Sequence, residues 1–370
     1  MYQGRLLCKR RSSSYIMIMN TSLQLLEELS LAFGPSGYED DIREIILTHL
    51  NGVGEIKVDR IGNITCTITG SNPQAPTLLF AAHQDEIGFM INNILEDGFL
   101  SFVPIGGWNP LTLSSSTLLI NTSSGSLIKG VIGQLPPHFL PKGAKAEIPE
   151  IDSLFIDIGS RSKEQSINDF GIKIGDVAVP YTHWMHQKRT NTLTSKAFDD
   201  RVGVAALIEV AHQMAKNKPL STMIFAFTVQ EEVGTRGAKV LARSIKSDYA
   251  FVVEGAPADD MPHRAHISQT KLGKGAHVRI FDPTHIGNPF LLDCIRHSAE
   301  THGISIQEAI RSGGGTDAME IALSEGGIPT VVVGVPVRYA HSHNSMITLY
   351  DYEQLVKLLL AVSQDIGEKH

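Results

Sequence analysis

Four short apolar runs in this chain lead into acids and histidines, and that pattern constrains the fold more than any other feature. Residues 222–230 lead into Glu231-Glu232, residues 77–82 into His83 and Asp85, residues 249–253 into Glu254, and residues 327–334 towards His341. Apolar runs this short, with no polar alternation, belong to strands covered on both faces. Two adjacent carboxylates at the end of such a strand are costly to desolvate unless positive charge lies between them.

The intervening segments show helical periodicity. Helices are expected from residue 21 to a Gly34-Pro35-Ser36-Gly37 stop, and at 39–50, 199–216, 237–245, 289–302 and 352–366, with a hairpin over 56–59 and 63–68. Between about residues 87 and 181 the texture changes to short alternating runs broken by Gly and Pro, as in a small barrel or sandwich. The expected fold class is α/β, a central mixed sheet flanked by helices, with an inserted all-β, barrel-like domain. The catalytic domain is then discontinuous, residues 21–86 and 191–370, and the insert spans 87–190. In open sheets of this kind functional residues gather at the carboxyl ends of the strands.

At 370 residues, 42% hydrophobic and 19% charged, the chain is long enough for one large domain or two ordinary ones. A net charge of −7 and the lack of a basic stripe argue against a nucleic-acid partner. No run reaches the roughly 20 apolar residues of a membrane span. Cys8, Cys66 and Cys294 have no paired spacing, which fits a reducing cytoplasm and neither a disulfide framework nor a thiolate metal site. Residues 1–20 are basic and Ser-rich, and their apolar patch at 15–19 falls short of the about 7–15 residues in a signal peptide. They are expected to be a disordered or non-native extension, with translation starting at Met17 or Met19.

Taken singly, each site residue has a plain reading. His83 is then a core imidazole, Asp199-Asp200 a helix cap, Glu231-Glu232 a solvated turn, Glu254 a surface turn residue, and His341 one of 15 histidines. Their joint placement at strand ends of one sheet favours function. Imidazole mixed with carboxylate suits zinc, with cobalt or manganese as alternatives. Two divalent ions need a bridging carboxylate and about two further protein ligands each. Asp199 as the bridge, His83 with Glu254, and Glu232 with His341 supply that set. Glu231 is left as a general base beside an acidified water, and Asp85 can orient the His83 ring.

The chain resembles the dinuclear metallo-aminopeptidases of the tetrahedral (TET) type, which include glutamyl and deblocking aminopeptidases. The likeness runs from Thr21 to the C-terminus. It rests on Pro35–Glu39, Asp59–Asn63, Ala82–Phe89, Ile105–Trp108, Pro136–His138, Lys196–Gly203, Val229–Gly234, Val253–Gly255, Gly313–Ala318 and Arg338–Ser342. The resemblance implies a zinc-exopeptidase-like fold and the same ligands: His83, Asp199 and Glu254 on one ion, Asp199, Glu232 and His341 on the other. It also implies Glu231 as the base, Asp85 as partner of His83, a cis bond between Asp199 and Asp200, and Gly314, Thr316 and Asp317 near the substrate. The insert would mediate dimer contacts within a dodecameric shell that admits unfolded peptides. His343 stands where many relatives have proline and could ligate in place of His341, which is preferred. Glu254 is longer than the Asp common at that position.

The resulting expectation is release of N-terminal residues from peptides. The alternatives are an acylase or carboxypeptidase on the same metal scaffold, a glycosidase, and an inactive shell or peptide-binding protein. Glycosidases need two opposed carboxylates and usually no metal ligands, so the accompanying histidines disfavour that reading.

Overall fold

The computed structural model describes residues 21–136, 139, 148–264, 266–324 and 326–368. The expected extension at 1–20, Cys8, and the Pro137-His138 end of one matched segment lie outside them. Cys66 and Cys294 are buried. Among the described residues, no helix is long and apolar enough to cross a membrane.

The centre is a nine-stranded mixed sheet. Its middle holds β3 (Leu78–His83), β12 (Met223–Thr228), β13 (Tyr249–Pro257) and β17 (Thr330–Val337). Pairing is parallel in the order β12-β3-β13-β17. These strands are buried nearly throughout, which explains their unbroken apolar character. The Phe80 ring on β3 stacks between Phe225 and Phe251, at 5.6 and 5.1 Å, and ties three strands together. The hairpin β1 (Glu55–Val58) and β2 (Ile64–Ile68) adds antiparallel to β12. On the other side β14 (Ala276–Asp282) joins β17 antiparallel and carries β15 (His285–Ile286) and β16 (Ile306–Ile310).

Helices cover both faces. The helix over 21–31 (α1), α2 (Asp40–Leu50), α4 (Phe198–Lys216), α6 (Pro289–His302) and α8 (Leu349–Glu368) pack their apolar stripes on one side. The short α5 (Arg236–Leu241) and α7 (Ala318–Ile321) cover the other.

Between β3 and α4 the chain forms a closed barrel. It consists of β4 (Gly88–Ile94), β5 (Leu100–Ile105), β6 (Thr117–Asn121), β7 (Leu127–Gly133), β8 (Phe155–Asp157) and β9 (Val177–Pro180). Closure leaves no free edge, and the barrel has its own core, including Phe89, Phe102, Leu118 and Ile156. The six-residue α3 (Lys163–Asn168) lies between β8 and β9. Beyond the barrel, β10 (Met185–Gln187) and β11 (Thr192–Ser195) pair with β18 (Ser345–Thr348) in a small sheet.

A buried ion pair closes the root of the barrel. Glu86 stands where the chain leaves for the barrel and Lys196 where it returns. Lys196 Nζ donates to Glu86 Oε1 at 2.5 Å and to the Ala32 carbonyl at 2.8 Å. Arg201, fully buried, donates to the carbonyls of Leu29 and Gly34 and reaches Glu86 Oε1 at 3.5 Å. Burial pulls the Lys196 ammonium down to about 8 despite the adjacent carboxylate. Removing Glu86 leaves the buried Lys196 and Arg201 without their shared counter-charge, so Glu86→Gln is expected to lower unfolding free energy by about 3–5 kcal/mol in denaturant titrations. A loss under about 1 kcal/mol would show the pair to be solvated.

Two expectations need correction. Glu254 does not follow its strand but lies inside β13, opposite Gly334 of β17. Gly334 makes this close pairing possible: a Cβ there would sit 2.0 Å from the Glu254 carbonyl oxygen. Nor is Asp199 an ordinary helix-opening residue, because it and Asp200 have non-helical backbone angles inside the first turn of α4; the bond between them is cis, as the resemblance implied.

Candidate metal centre

The carboxyl ends of β3, β12, β13 and β17 converge on one cluster, buried at His83 and Glu254 and half-buried at Asp199, Glu232 and His341. His83, the last residue of β3, is 2% exposed. Its Nε2 lies 3.3 Å from Asp199 Oδ1 and 3.9 Å from Glu254 Oε2. His341, in the loop after β17, places Nε2 3.4 Å from Asp199 Oδ2 and 3.3 Å from Glu232 Oε1. Its Nδ1 lies 2.9 Å from the Gly107 carbonyl of the loop after β5, which fixes the ring. The two oxygens of Asp199 therefore face two different imidazoles. His83, Asp199 and Glu232 can converge on one ion, as can His83, Asp200 and Glu254.

Asp200 is the residue that does the capping. Its Oδ1 accepts from the Gly203 N–H at 3.0 Å and its Oδ2 from the His83 N–H at 3.2 Å. With Asp200 on backbone donors, Asp199 is left free to face the histidines.

Asp85 lies beneath the cluster and is fully buried. Its carboxylate is 3.5 Å from His83 Nδ1, farther than its own backbone carbonyl at 3.1 Å. Its closer partners are the Ser36 hydroxyl at 2.6 Å and the backbone N–H groups of Glu231 and Glu232. The turn bearing that pair starts beyond Thr228, where β12 ends, not at Gln230. His343 is turned away, with Nε2 2.9 Å from the Tyr181 carbonyl.

The loop over 313–318 brings the buried Asp317 near His83 and Asp85, and Thr316 beside it is buried too. Asp317 Oδ2 accepts from Thr228 Oγ1 at 2.5 Å, and its Oδ1 has no partner among the described residues. Gly314 is at φ 81° with open space around it.

Burial dominates the electrostatics of the cluster. Burial, and then neighbouring carboxylates, push Glu231 and Glu254 well above the usual acid range. Burial raises Glu232 against the pull of His341, and brings Asp317 up to about 6. Burial works against protonated imidazoles, yet Asp199 and Glu232 outweigh it and hold His341 up at about 11. The same contest, won by Asp199 and Asp85, raises His83 well above its usual value. Burial that disfavours these acids as free anions, together with the mixed N/O donor set, fits divalent ions.

Sequence reading missed three contributors: Asp200 as backbone anchor, and Ser36 and Glu39 beneath the Glu231-Glu232 turn. The last two lie in the matched segment Pro35–Glu39, which was the available signal.

The comparisons agree with this geometry. Residues 62–358 match the M42 glutamyl aminopeptidase family. The glutamyl aminopeptidase of Lactococcus lactis subsp. cremoris is 35% identical over 333 residues, 88% of this chain and 91% of that protein. The lysyl aminopeptidase of Pyrococcus furiosus is 32% identical over 350 residues, covering 93% and 97%. The solved TET1 peptidase of Pyrococcus horikoshii, described as able to assemble into a tetrahedron or a large octahedral shell, superposes with a TM-score of 0.82 at 35% identity, covering 92% of this chain and 99% of that one. With the fold, the cluster and the matched length in agreement, this chain belongs to the M42 glutamyl aminopeptidase family and is a peptide hydrolase.

Proposed function

We propose that this chain is a metal-dependent aminopeptidase in which Glu231 is the general base and His83, Asp199, Glu232, Glu254 and His341 hold two divalent ions, zinc by preference. The observation that carries the reading is the split of Asp199, one oxygen towards each imidazole, with Glu254 and Glu232 beside them. Ions bound there would lower the pKa of a water towards about 7 and polarise the scissile carbonyl. Glu231, on the turn next to Glu232, takes the proton from the attacking water and passes it to the leaving amine nitrogen. Asp85 keeps that turn in register through the two backbone bonds it accepts. The open loop at Gly314, backed by Thr316 and Asp317, forms the substrate side.

We assign residues 87–190 to dimer contacts and the assembly to a dodecamer, working in the cytoplasm. The shells described for the TET1 relative and the exposed barrel residues Leu111, Leu127 and Val131 support this.

The test is a panel of aminoacyl chromogenic substrates with N-blocked controls, in EDTA and after adding back zinc, cobalt or manganese, with light scattering for mass. Metal-dependent release from free N-termini alone is the expected result. Cleavage of blocked substrates alone moves the assignment to an acylase, and cleavage of cello-oligosaccharides to a glycosidase. Silence with ions bound leaves an inactive shell.

A further inference from the structure

Three consecutive backbone amides connect β12 to the Glu231-Glu232 pair, and buried carboxylates take all three. The Gln230 N–H donates to Glu39 Oε1 at 3.1 Å, the Glu231 N–H to Asp85 Oδ1 at 3.0 Å, and the Glu232 N–H to Asp85 Oδ2 at 3.2 Å. Glu39 Oε1 also accepts from the Gly37 N–H at 2.8 Å. The loop between α1 and α2 thus hooks the turn from below. Gln230 has φ 56°, in the left-handed region, which a residue other than glycine keeps only where its surroundings hold it.

This hook is an expensive one. Glu39 is 3% exposed and Asp85 0%, and two buried carboxylates near each other repel. A carbonyl or hydroxyl oxygen would satisfy the Gln230 amide without burying a charge. What the long Glu39 side chain adds is reach: its Oε1 accepts from the Gly37 and Gln230 amides together and so ties the turn to the loop. Nor is Glu39 there to cap α2, since it stands at the N-cap position yet its side chain makes no bond to that helix.

We infer that Glu39 is a positioning residue for peptide hydrolysis: by fixing the Gln230 peptide it sets the direction of the Glu231 carboxylate. This rests on Glu231 being the base. Glu39 acts through the turn and touches neither substrate nor ion.

The test compares Glu39→Ala and Glu39→Gln in the full, metal-loaded chain. Misplacing a reacting group by about 1 Å costs on the order of 10²-fold, so Glu39→Ala is expected to lower kcat by about that factor with KM within about threefold. Glu39→Gln keeps an acceptor oxygen in place and is expected to recover kcat to within about fivefold. Ion content and thermal midpoint stay close to the parent values in Glu39→Gln. A kcat for Glu39→Ala within about threefold of the parent overturns the inference. So does a Glu39→Gln variant as slow as Glu39→Ala, or a loss of kcat that follows lost ions in both. If Glu39→Ala does not fold, Glu39→Asp, one methylene short, is expected to lose kcat at constant KM, and an unchanged kcat overturns the inference. Failure of the base reading is distinguishable, because Glu231→Gln would then keep its activity.

Discussion

Glu231→Gln lowers kcat on a free aminoacyl substrate by about 10²–10⁴-fold, the usual worth of a positioned general base. Ion content and thermal midpoint are expected to stay at the parent values, since glutamine is isosteric and Glu231 is not among the five ligand side chains. The backbone N–H of residue 231 still reaches Asp85 Oδ1, so the turn keeps its anchor. KM changes little, because the lost interaction exists only in the transition state. Retained activity, or a loss that returns when more metal is added, would sink the assignment of the base. In the second case Glu231 would be a ligand and one of the five side chains would have to give up that role.

Chelation reverses the pH dependence of stability. In EDTA the thermal midpoint is expected to fall as pH rises from about 5 to about 8, whereas with saturating zinc it rises over the same window. Glu231, Glu232, Glu254, Asp200 and Asp317 all hold protons more tightly folded than unfolded, Asp317 up to about 6 against an ordinary 3.8. Acids raised in this way contribute fully below the unfolded pKa, and the contribution is lost as pH climbs through the folded one. His83 and His341 have the same sign, their contribution fading above the ordinary 6.5, with His341 folded at about 11. Asp199, held low by the histidines, has the opposite sign but titrates below the window. Each tenfold change in proton affinity is worth about 1.4 kcal/mol. Bound ions require deprotonated ligands, so their contribution grows with pH and reaches about 4 kcal/mol at a thousandfold excess over Kd. Groups elsewhere titrate alike in both series and cancel in the difference. Parallel profiles with and without metal would remove these side chains as ligands.

Much of this was legible from the chain because the informative signals are local. Apolar runs without alternation gave β3, β12, β13 and β17, and the acids and histidines beyond them gave the side chains that meet in the cluster. What was not legible depends on pairing between distant segments. Nothing near Glu254 says that its strand continues, because the room for that comes from Gly334, 80 positions later. Glu39 and Gln230 are 191 residues apart, and Glu39 alone reads as one more acid at a helix start. Asp199 was expected as the bridge between the histidines, and Asp200 had no part beyond the helix-cap reading of the pair. The structure divides the labour between them, Asp200 taking the backbone amides and Asp199 the imidazoles, a split that no adjacent-residue pattern encodes. The bond from Thr228 to Asp317 joins positions 89 residues apart and was likewise not legible.

The ion pair at the root of the barrel bears on how cheaply the site can be assembled. Glu86 and Lys196 are 110 positions apart, and a slack tether of that length must surrender much of its freedom before His83 can meet Asp199. A folded barrel that begins and ends at the same place acts as a short tether instead. Closure entropy grows as about (3/2)RT ln n, so cutting the slack roughly tenfold saves about 2 kcal/mol. The inserted β unit thus works as a molecular shortcut: a long detour in sequence adds little to the entropic cost of bringing the catalytic side chains together.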